Sequence, residues 1–226
     1  MLTTVPTLLV GAVFGIALAA PPGPMNAIIA EESVLRGWTA GFRAGIGAML
    51  ADVVFFLGTL AGVVAIIDRY PIIRPALYLV GGVLMVYFAV GAFRDARSAS
   101  GFVADTDGPS RGFEKTFALS LTNPYQIGFW LTVGVGLLRP GTLDVFAHVP
   151  GIGTALEGAL VVQTGSAALL AGFFVGIVLW IVSFPAALVS VGRRIDAFAP
   201  IVSLLSGVVL AAFGVIFLVA GAGGVI

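Results

Sequence analysis

Residues 21–26 read Pro-Pro-Gly-Pro-Met-Asn and lie inside an apolar stretch, residues 4–36, that otherwise has the composition of a membrane-spanning helix. Three prolines and a glycine in four positions interrupt an α-helix, because each proline lacks an N–H group and its ring clashes with the preceding turn. In the hydrocarbon of a bilayer, backbone groups freed in this way are tolerated only where protein or a water-filled cavity surrounds them. The stretch therefore predicts an interrupted membrane helix, with its break at 21–24, that lines a binding site.

The composition indicates an integral membrane protein. The chain has 226 residues, of which 59% are hydrophobic and 10% are charged, and its mean hydropathy is +1.13; soluble domains carry roughly 25% charged residues. The formal net charge of zero gives no indication of a nucleic-acid partner. The chain has no cysteine and a single histidine, His148, so we expect no enzyme activity, no metal site and no cofactor.

Runs of about 20 apolar residues predict six membrane-spanning helices. Their expected bounds are 4–36, 40–67, 72–94, 113–138, 166–191 and 198–222. The first segment has no Lys or Arg before its apolar core, which favours a retained helix over a cleaved signal peptide. We expect an all-α, polytopic membrane protein that forms a single membrane domain over 1–226.

The domain is expected to consist of two three-helix halves, 1–94 and 113–226, joined by a cytoplasmic linker at 95–112 that is rich in Gly, Ser, Asp and Pro. Because three is an odd number, any two-fold relationship between the halves would be an inverted repeat, an arrangement common in secondary transporters. The Gly-rich stretch 139–165 is predicted to be a surface loop. Glycine pairs such as Gly11/Gly15 and Gly172/Gly176 are predicted to allow close helix packing.

The distribution of basic residues predicts the orientation in the membrane. The loops after the first, third and fifth spans hold eight of them: Arg36, Arg43, Arg94, Arg97, Arg111, Lys115, Arg193 and Arg194. The loops after the second and fourth spans hold three: Arg69, Arg74 and Arg139. Since cytoplasmic loops carry the excess of Lys and Arg, the first group is expected in the cytoplasm and both termini outside.

A second irregularity lies in the fourth predicted span, where residues 122–126 read Thr-Asn-Pro-Tyr-Gln. Asparagine followed by proline is typical of a new helix start, with Asn123 as the N-cap and Pro124 at the first helical position. The alternative is a proline kink within one continuous helix. We favour a second interruption.

The two irregularities are expected at a similar depth in the membrane. Seven residues separate Pro24 from Glu31, and eight separate Lys115 from Asn123, which correspond to about 10 and 12 Å of helix. Glu31 and the adjacent Glu32 are expected at the membrane interface.

Asp52 is the one acidic residue that the predicted spans place deep in the membrane, nine residues and about 14 Å after Arg43. A charge at that depth costs roughly 3 kcal/mol or more, so the side chain is expected to face the bundle interior or a cavity. It could be a protonated carboxyl that hydrogen-bonds between helices. We favour the alternative, a carboxylate that couples transport to protons or pairs with a cationic group.

Two helix interruptions at one level create a site suited to a zwitterion. The helix starts after the breaks expose N–H groups to a carboxylate, and the helix ends before them expose carbonyl groups to an ammonium ion. The candidate substrate-binding residues are Pro22, Gly23, Pro24, Asn26, Thr122, Asn123, Pro124 and Gln126, with Asp52 as the candidate proton-coupling residue.

The residues that carry these features resemble a known family. Residues 22–26, then Arg36-Gly37, then the Gly-Phe-Arg-Ala-Gly run at 41–45 that leads to Asp52, are similar to the lysine exporter (LysE/RhtB) translocators. Asn123-Pro124 fits the same pattern, although Tyr125 stands where that family often has a basic residue.

The resemblance implies a small six-helix inner-membrane protein of a prokaryote that exports amino acids or related metabolites, driven by a proton or other ion gradient. We expect alternating access around the polar layer formed by residues 22–26, Asp52 and residues 122–126, with an amino-acid-like substrate, a coupling ion and lipid as partners. Whether the chain forms a homo-oligomer is left open. The alternative is a cation or heavy-metal exporter of the same superfamily. Divalent metals prefer several carboxylate, imidazole or thiolate ligands, and Asp52 is the only such ligand expected deep inside the predicted spans.

Overall fold

The structure is a computed structural model that describes residues 4–62, 73–98, 110–144, 158, 160–192 and 198–223. The first helices are α1 (Thr4–Ala19), α2 (Pro24–Arg36), α3 (Trp38–Leu60), α4 (Ile73–Ser98), α5 (Gly112–Thr122) and α6 (Pro124–Phe129). A π-helical turn (Trp130–Gly134) and α7 (Val135–Leu138) follow, then strands β1 (Gly141–Asp144) and β2 (Val161–Thr164), and finally α8 (Ala167–Gly192) and α9 (Phe198–Gly223).

The predicted interruption of the first span is confirmed. α1 ends at Ala19 and α2 begins at Pro24, so the break comprises residues 20–23 instead of 21–24. Pro24 belongs to α2 because its fixed φ and its missing N–H suit the first helical position. α2 ends at Arg36, and Gly37 adopts a φ of 85° that turns the chain directly into α3.

The fourth predicted span is also interrupted, as favoured over a simple kink. α5 ends at Thr122, α6 begins at Pro124, and Asn123 lies between them. The π-helical turn that follows at Trp130–Gly134 was not predicted. Such turns are rare and occur frequently at functional sites.

The described residues include three helices that are long and apolar enough to cross a membrane: Trp38–Leu60, Ala167–Gly192 and Pro200–Gly223. The interrupted pair of α1 and α2 is a fourth if it is one span. The chain is thus an all-α membrane protein, while six spans and the inverted repeat stay predictions. α4 continues to Ser98, so the expected linker at 95–112 begins later, and its residues 99–109 lie outside the described residues.

The predicted loop at 139–165 contains regular structure. β1 and β2 form a two-stranded antiparallel sheet in which Gly141 pairs with Thr164 and Asp144 pairs with Val161. The prediction of a loop was wrong for these eight residues, since each four-residue strand is too short to give a clear sequence pattern. Residues 145–157 and 159 lie outside the described part.

The chain divides into two compact units. The first contains residues 1–20 and 130–180, and the second contains residues 21–129 and 181–226. The expected division into halves 1–94 and 113–226 stays a prediction.

The core of the first unit is the contact of α1 with the first part of α8. A Cβ atom at Gly11 or Gly15 would collide with the backbone of α8, and one at Gly172 or Gly176 would collide with the backbone of α1 at Leu8 or Ala12. The two glycine pairs therefore face each other, which confirms that they serve close helix packing.

In the second unit, α2 is surrounded by neighbouring helices. It packs against α3, α5 and α9, and every residue from Ala27 to Leu35 is buried. One apolar cluster holds its first turns, with Ile28, Met85, Leu119 and Phe217 among its members. The enclosed helix thus connects the break at residues 20–23 with the opposite end of the unit.

Candidate functional site

The side chain of Asn26 forms a hydrogen bond across the first interruption. Its Nδ2 donates a hydrogen bond of 2.9 Å to the carbonyl oxygen of Pro21. Gly23, the N-cap of α2, is fully extended at φ −176° and has no side chain to cap the helix. Its carbonyl oxygen accepts a hydrogen bond of 2.9 Å from the Ala27 amide. Pro22 is exposed and Pro24 is buried, so the break runs from the surface of the unit into its interior.

The second interruption has the N-cap that the sequence predicts. Asn123 Oδ1 accepts a hydrogen bond of 3.0 Å from the Tyr125 amide. The carbonyl oxygen of Asn123 accepts another, also 3.0 Å, from the Ile127 amide. The start of α6 is thereby capped by its own chain.

The two interruptions meet. Asn123 Nδ2 lies 4.0 Å from Met25 Sδ, which joins the first turn of α2 to the junction between α5 and α6. This contact agrees with the similar depth that residue counting predicts for the two breaks.

Asp52 lies beside the second interruption. It is 5% exposed, and its Oδ1 accepts a hydrogen bond of 2.7 Å from Gln126 Nε2. The bond links the middle of α3 to α6. The side chain faces the interior of the unit, as expected for an acidic residue in a membrane helix.

The remaining predicted site residues, Thr122 and Pro124, serve the ends of their own helices. The Thr122 hydroxyl donates to the carbonyl oxygen of Ala118 at 2.9 Å, within its own helix. Pro124 starts α6, and its side chain lies outside what the structure describes. The structure therefore gathers Asp52, Gln126 and Asn123 around the second break, in contact with α2 through Met25, which the sequence analysis had not singled out.

Glu31 and Glu32 are more enclosed than the sequence analysis indicated. Both are 1% exposed inside the second unit, while their expected position at the membrane interface stays a prediction. The cause is tertiary: α3, α5 and α9 surround α2 on all sides. The apolar residues on either side of the pair, 27–30 and 34–35, were the available sequence signal.

The histidine and acidic side chains of the described residues do not form a metal centre. No group of three or more His, Asp or Glu side chains among these residues is arranged to hold an ion. A transition metal or a calcium ion would need such a set.

Two interrupted membrane helices that meet beside a buried carboxylate are the construction typical of polytopic transport proteins. Comparison with known families agrees with this class. Residues 16–152 match the model described as LysE type translocator, and the chain belongs to this family. The resemblance inferred from residues 22–26, 41–52 and 123–124 is confirmed, and a family of translocators is not one of enzymes.

Curated relatives of bacterial origin are similar to more than half of the chain. An uncharacterized membrane protein of Pseudomonas aeruginosa is 30% identical over 141 residues, or 60% of this chain and 64% of that protein. A putative amino acid efflux protein of Bacillus subtilis is 30% identical over 125 residues, or 54% of this chain and 58% of that protein. A leucine efflux protein of Salmonella typhimurium is 28% identical over 148 residues, or 65% of this chain and 66% of that protein.

The chain thus spans less than two thirds of the length of these relatives. No solved structure matches it.

Proposed function

We propose that this protein is a secondary active exporter of amino acids or related small zwitterionic metabolites. The observation that carries the proposal is the meeting of the two helix interruptions at Met25 and Asn123, beside the hydrogen bond between Asp52 and Gln126. Membership of the translocator family supports it, as do relatives that are named as amino acid and leucine efflux proteins.

The start of α2 is the better of the two candidate sites for the carboxylate of the cargo. Asn123 already caps α6 with its own side chain, whereas the N-cap of α2 is Gly23, which has none. The amide groups of the first turn of α2 carry the positive end of the helix dipole and are suited to an anion. Pro22 and Pro24 hold this turn in shape, since proline fixes the backbone φ.

The ammonium group of the cargo would lie between Asp52 and the end of α5. The last carbonyl groups of a helix are its negative end, and for α5 these belong to residues up to Thr122. Gln126 and Asn123 add amide groups that bind either end of a zwitterion without a fixed charge. A single acidic residue beside neutral amides matches a cargo with one positive charge.

The transport cycle follows from the same parts. Asp52 would take up a proton when the cargo leaves and release it on the opposite side, so that export is driven by the proton gradient. Alternating access around the polar layer would use two inverted three-helix halves with six spans in all. The protein would lie in a prokaryotic inner membrane, and the excess of Lys and Arg in one set of loops supports an orientation with both termini outside.

The alternative, a cation or heavy-metal exporter, is not favoured. Among the residues that the structure describes, no group of three or more His, Asp or Glu side chains could hold a metal ion.

An efflux measurement tests the proposal. The purified protein is reconstituted in liposomes that contain a mixture of amino acids and a separate set that contains zinc, under an imposed proton gradient. We expect one or a few amino acids to leave faster than from protein-free liposomes, and to slow when the gradient is collapsed. Efflux of zinc without efflux of any amino acid would contradict the proposal and support the alternative.

A further inference from the structure

An ionic cluster around one buried carboxylate lies at the end of α2 that is remote from the break, and the side chains of its partners Arg36 and Lys115 are 21% and 19% exposed. The Glu32 carboxylate is 1% exposed and lies 3.2 Å from Arg36 Nη1 and 3.8 Å from Lys115 Nζ. Its Oε2 accepts a hydrogen bond of 2.8 Å from the Ser110 hydroxyl. We call Glu32, Arg36, Lys115 and Ser110 the ionic lock.

The surrounding chain is shaped to admit the Glu32 side chain. A Cβ atom at Gly112 would lie 2.7 Å from Glu32 Cγ and 2.9 Å from Ala44 Cβ, so a larger residue would displace the carboxylate. The Thr116 hydroxyl donates to the carbonyl oxygen of Ala44 at 2.6 Å. These contacts hold the first turns of α5 against both α2 and α3.

The ionic lock and the polar layer lie at opposite ends of the same two helices. α2 begins beside Asn123 and ends at Glu32 and Arg36, whereas α5 begins beside Glu32 and ends at Asn123. The two helices therefore run antiparallel, and they are connected at both ends. A separation of α2 from α5 at the lock would be transmitted to the interruptions, because each helix moves as a rigid rod.

The energetics favour a switch over a stabilising element. Burying the Glu32 carboxylate costs free energy that its attraction to Arg36 and Lys115 offsets, and apolar residues of similar volume often give a more stable protein. Removing one partner leaves a buried charge without compensation, so a single substitution is enough to disturb the cluster. Ala27 to Leu35 are all buried, whereas Pro21 and Pro22 are exposed, so the unit is closed at the lock and more open at the break.

We propose that the ionic lock is a gate that closes the path to the polar layer from the side of the membrane rich in Arg and Lys. The inference rests on the proposed exporter function, in which that side is the cytoplasm from which cargo enters. The gate opens when the ion pair between Glu32 and Lys115 separates and α5 moves away from α2.

The absence of cysteine from the chain allows a direct test by single-cysteine labelling. The probe is Ser120→Cys on α5, between the lock and the break. Ser120 is fully buried and its hydroxyl has no hydrogen-bond partner, so the exchange disturbs little. A membrane-impermeant maleimide is added to each face of sealed vesicles in the absence of cargo. A separate Glu114→Cys variant marks the lock face, because Glu114 is exposed beside Lys115.

We expect Glu32→Gln and Lys115→Gln to increase labelling of the probe from the lock face by about tenfold, the change that a loss of ~1.4 kcal/mol in the closed state produces. Lys115→Arg, which keeps the charge, should restore slow labelling. Glu114→Gln is the matched control and should leave the rate unchanged. Thr7→Cys in the other unit, which is buried as well, should stay unlabelled throughout, which excludes general unfolding.

Unchanged labelling in folded Lys115→Gln, or an equal increase with Glu114→Gln, would overturn the gate. Because labelling needs no cargo, this result is independent of the efflux measurement. Efflux of amino acids with no effect of the lock variants on labelling would reject the gate alone.

Discussion

At the scale of single residues, the partner of Asp52 decides what the carboxylate can do. Gln126 donates one neutral hydrogen bond of 2.7 Å to Oδ1. A neutral amide hydrogen-bonds to a carboxyl group without adding a charge, whereas an arginine would neutralise a carboxylate. This bond fits the proposed role of Asp52, in which the carboxyl group binds a proton or the ammonium group of a cargo.

Asp52→Asn tests this role. The variant keeps a side chain of the same shape that can still hydrogen-bond to Gln126, and it removes the charge. We expect proton-driven export to fall by at least about tenfold, a loss of ~1.4 kcal/mol or more in the coupled step, with normal amounts of protein in the membrane. The measurement is initial efflux from vesicles, with Glu114→Gln as the exposed control. Full proton-driven export by Asp52→Asn would remove Asp52 from the coupling mechanism.

Gly23 and Gly37 form a second test, because the two glycines are needed for different reasons. Gly23 is extended, and a Cβ atom there would lie 4.0 Å from its nearest neighbour, the Pro21 carbonyl oxygen. Gly37 has a φ of 85°, which an L side chain adopts only with strain.

We expect Gly23→Ala to leave thermal stability unchanged and to weaken export, because the methyl group would occupy the position proposed for the cargo carboxylate at the start of α2. Gly37→Ala should instead lower stability by about 1 kcal/mol. Thermal unfolding in detergent and efflux are measured on both variants. Equal loss of stability in the two would show that Gly23 serves folding alone.

At the scale of helices, interruptions and close contacts shape both units. α2 begins at the first break and α5 ends at the second, and α1 and α8 approach until their backbones touch. Small residues at such contacts allow the dispersion forces and weak C–H···O hydrogen bonds that hold membrane helices together.

Gly172→Ala tests the contact of α1 with α8. The added Cβ atom would collide with the backbone of α1 at Leu8. Backbone atoms cannot move aside as the end of a flexible side chain can. We expect a destabilisation of roughly 1–3 kcal/mol, as in other overpacked cores, visible as a lower midpoint in a thermal unfolding scan. Gly91→Ala in α4 is the control, since nothing lies within 4 Å of its Cβ position. Equal midpoints for the two variants would contradict the packing role.

The sequence predicted the elements whose signals are local. Both interruptions follow from proline and an asparagine N-cap, which act within one turn of backbone. The burial of Glu31 and Glu32 could not be predicted in this way, because it depends on three other helices that surround α2. The short strands and the π-helical turn at Trp130 give no periodic pattern of their own. Trp130 is 2% exposed and packs edge-on against Phe173, a contact that only the folded unit creates.

At the scale of the whole molecule, the basic residues predict how the chain crosses the bilayer. Eight of the 11 Lys and Arg residues belong to one set of predicted loops, which the positive-inside rule assigns to the cytoplasm. The side that carries Arg43 would then face the cytoplasm, and the side that carries Arg139 would face outwards.

Single-cysteine variants at these two exposed positions test the orientation. In sealed right-side-out vesicles, an impermeant maleimide should label Arg139→Cys and not Arg43→Cys, and inside-out vesicles should give the opposite result. Labelling of both variants from the same face would contradict the predicted topology.

The central claim is that cargo binds in the polar layer between the two interruptions, and protection of Thr122→Cys from alkylation tests it most directly. The Thr122 hydroxyl, beside Asn123, donates a hydrogen bond of 2.9 Å to the carbonyl oxygen of Ala118 in its own helix. Thr59→Cys in α3 is the matched control, because the Thr59 hydroxyl donates a similar bond of 2.8 Å to the carbonyl oxygen four residues earlier. We predict that the exported amino acid at saturating concentration slows alkylation at position 122 and leaves position 59 unaffected. Equal alkylation rates at position 122 with and without an amino acid that the protein demonstrably exports would contradict the account.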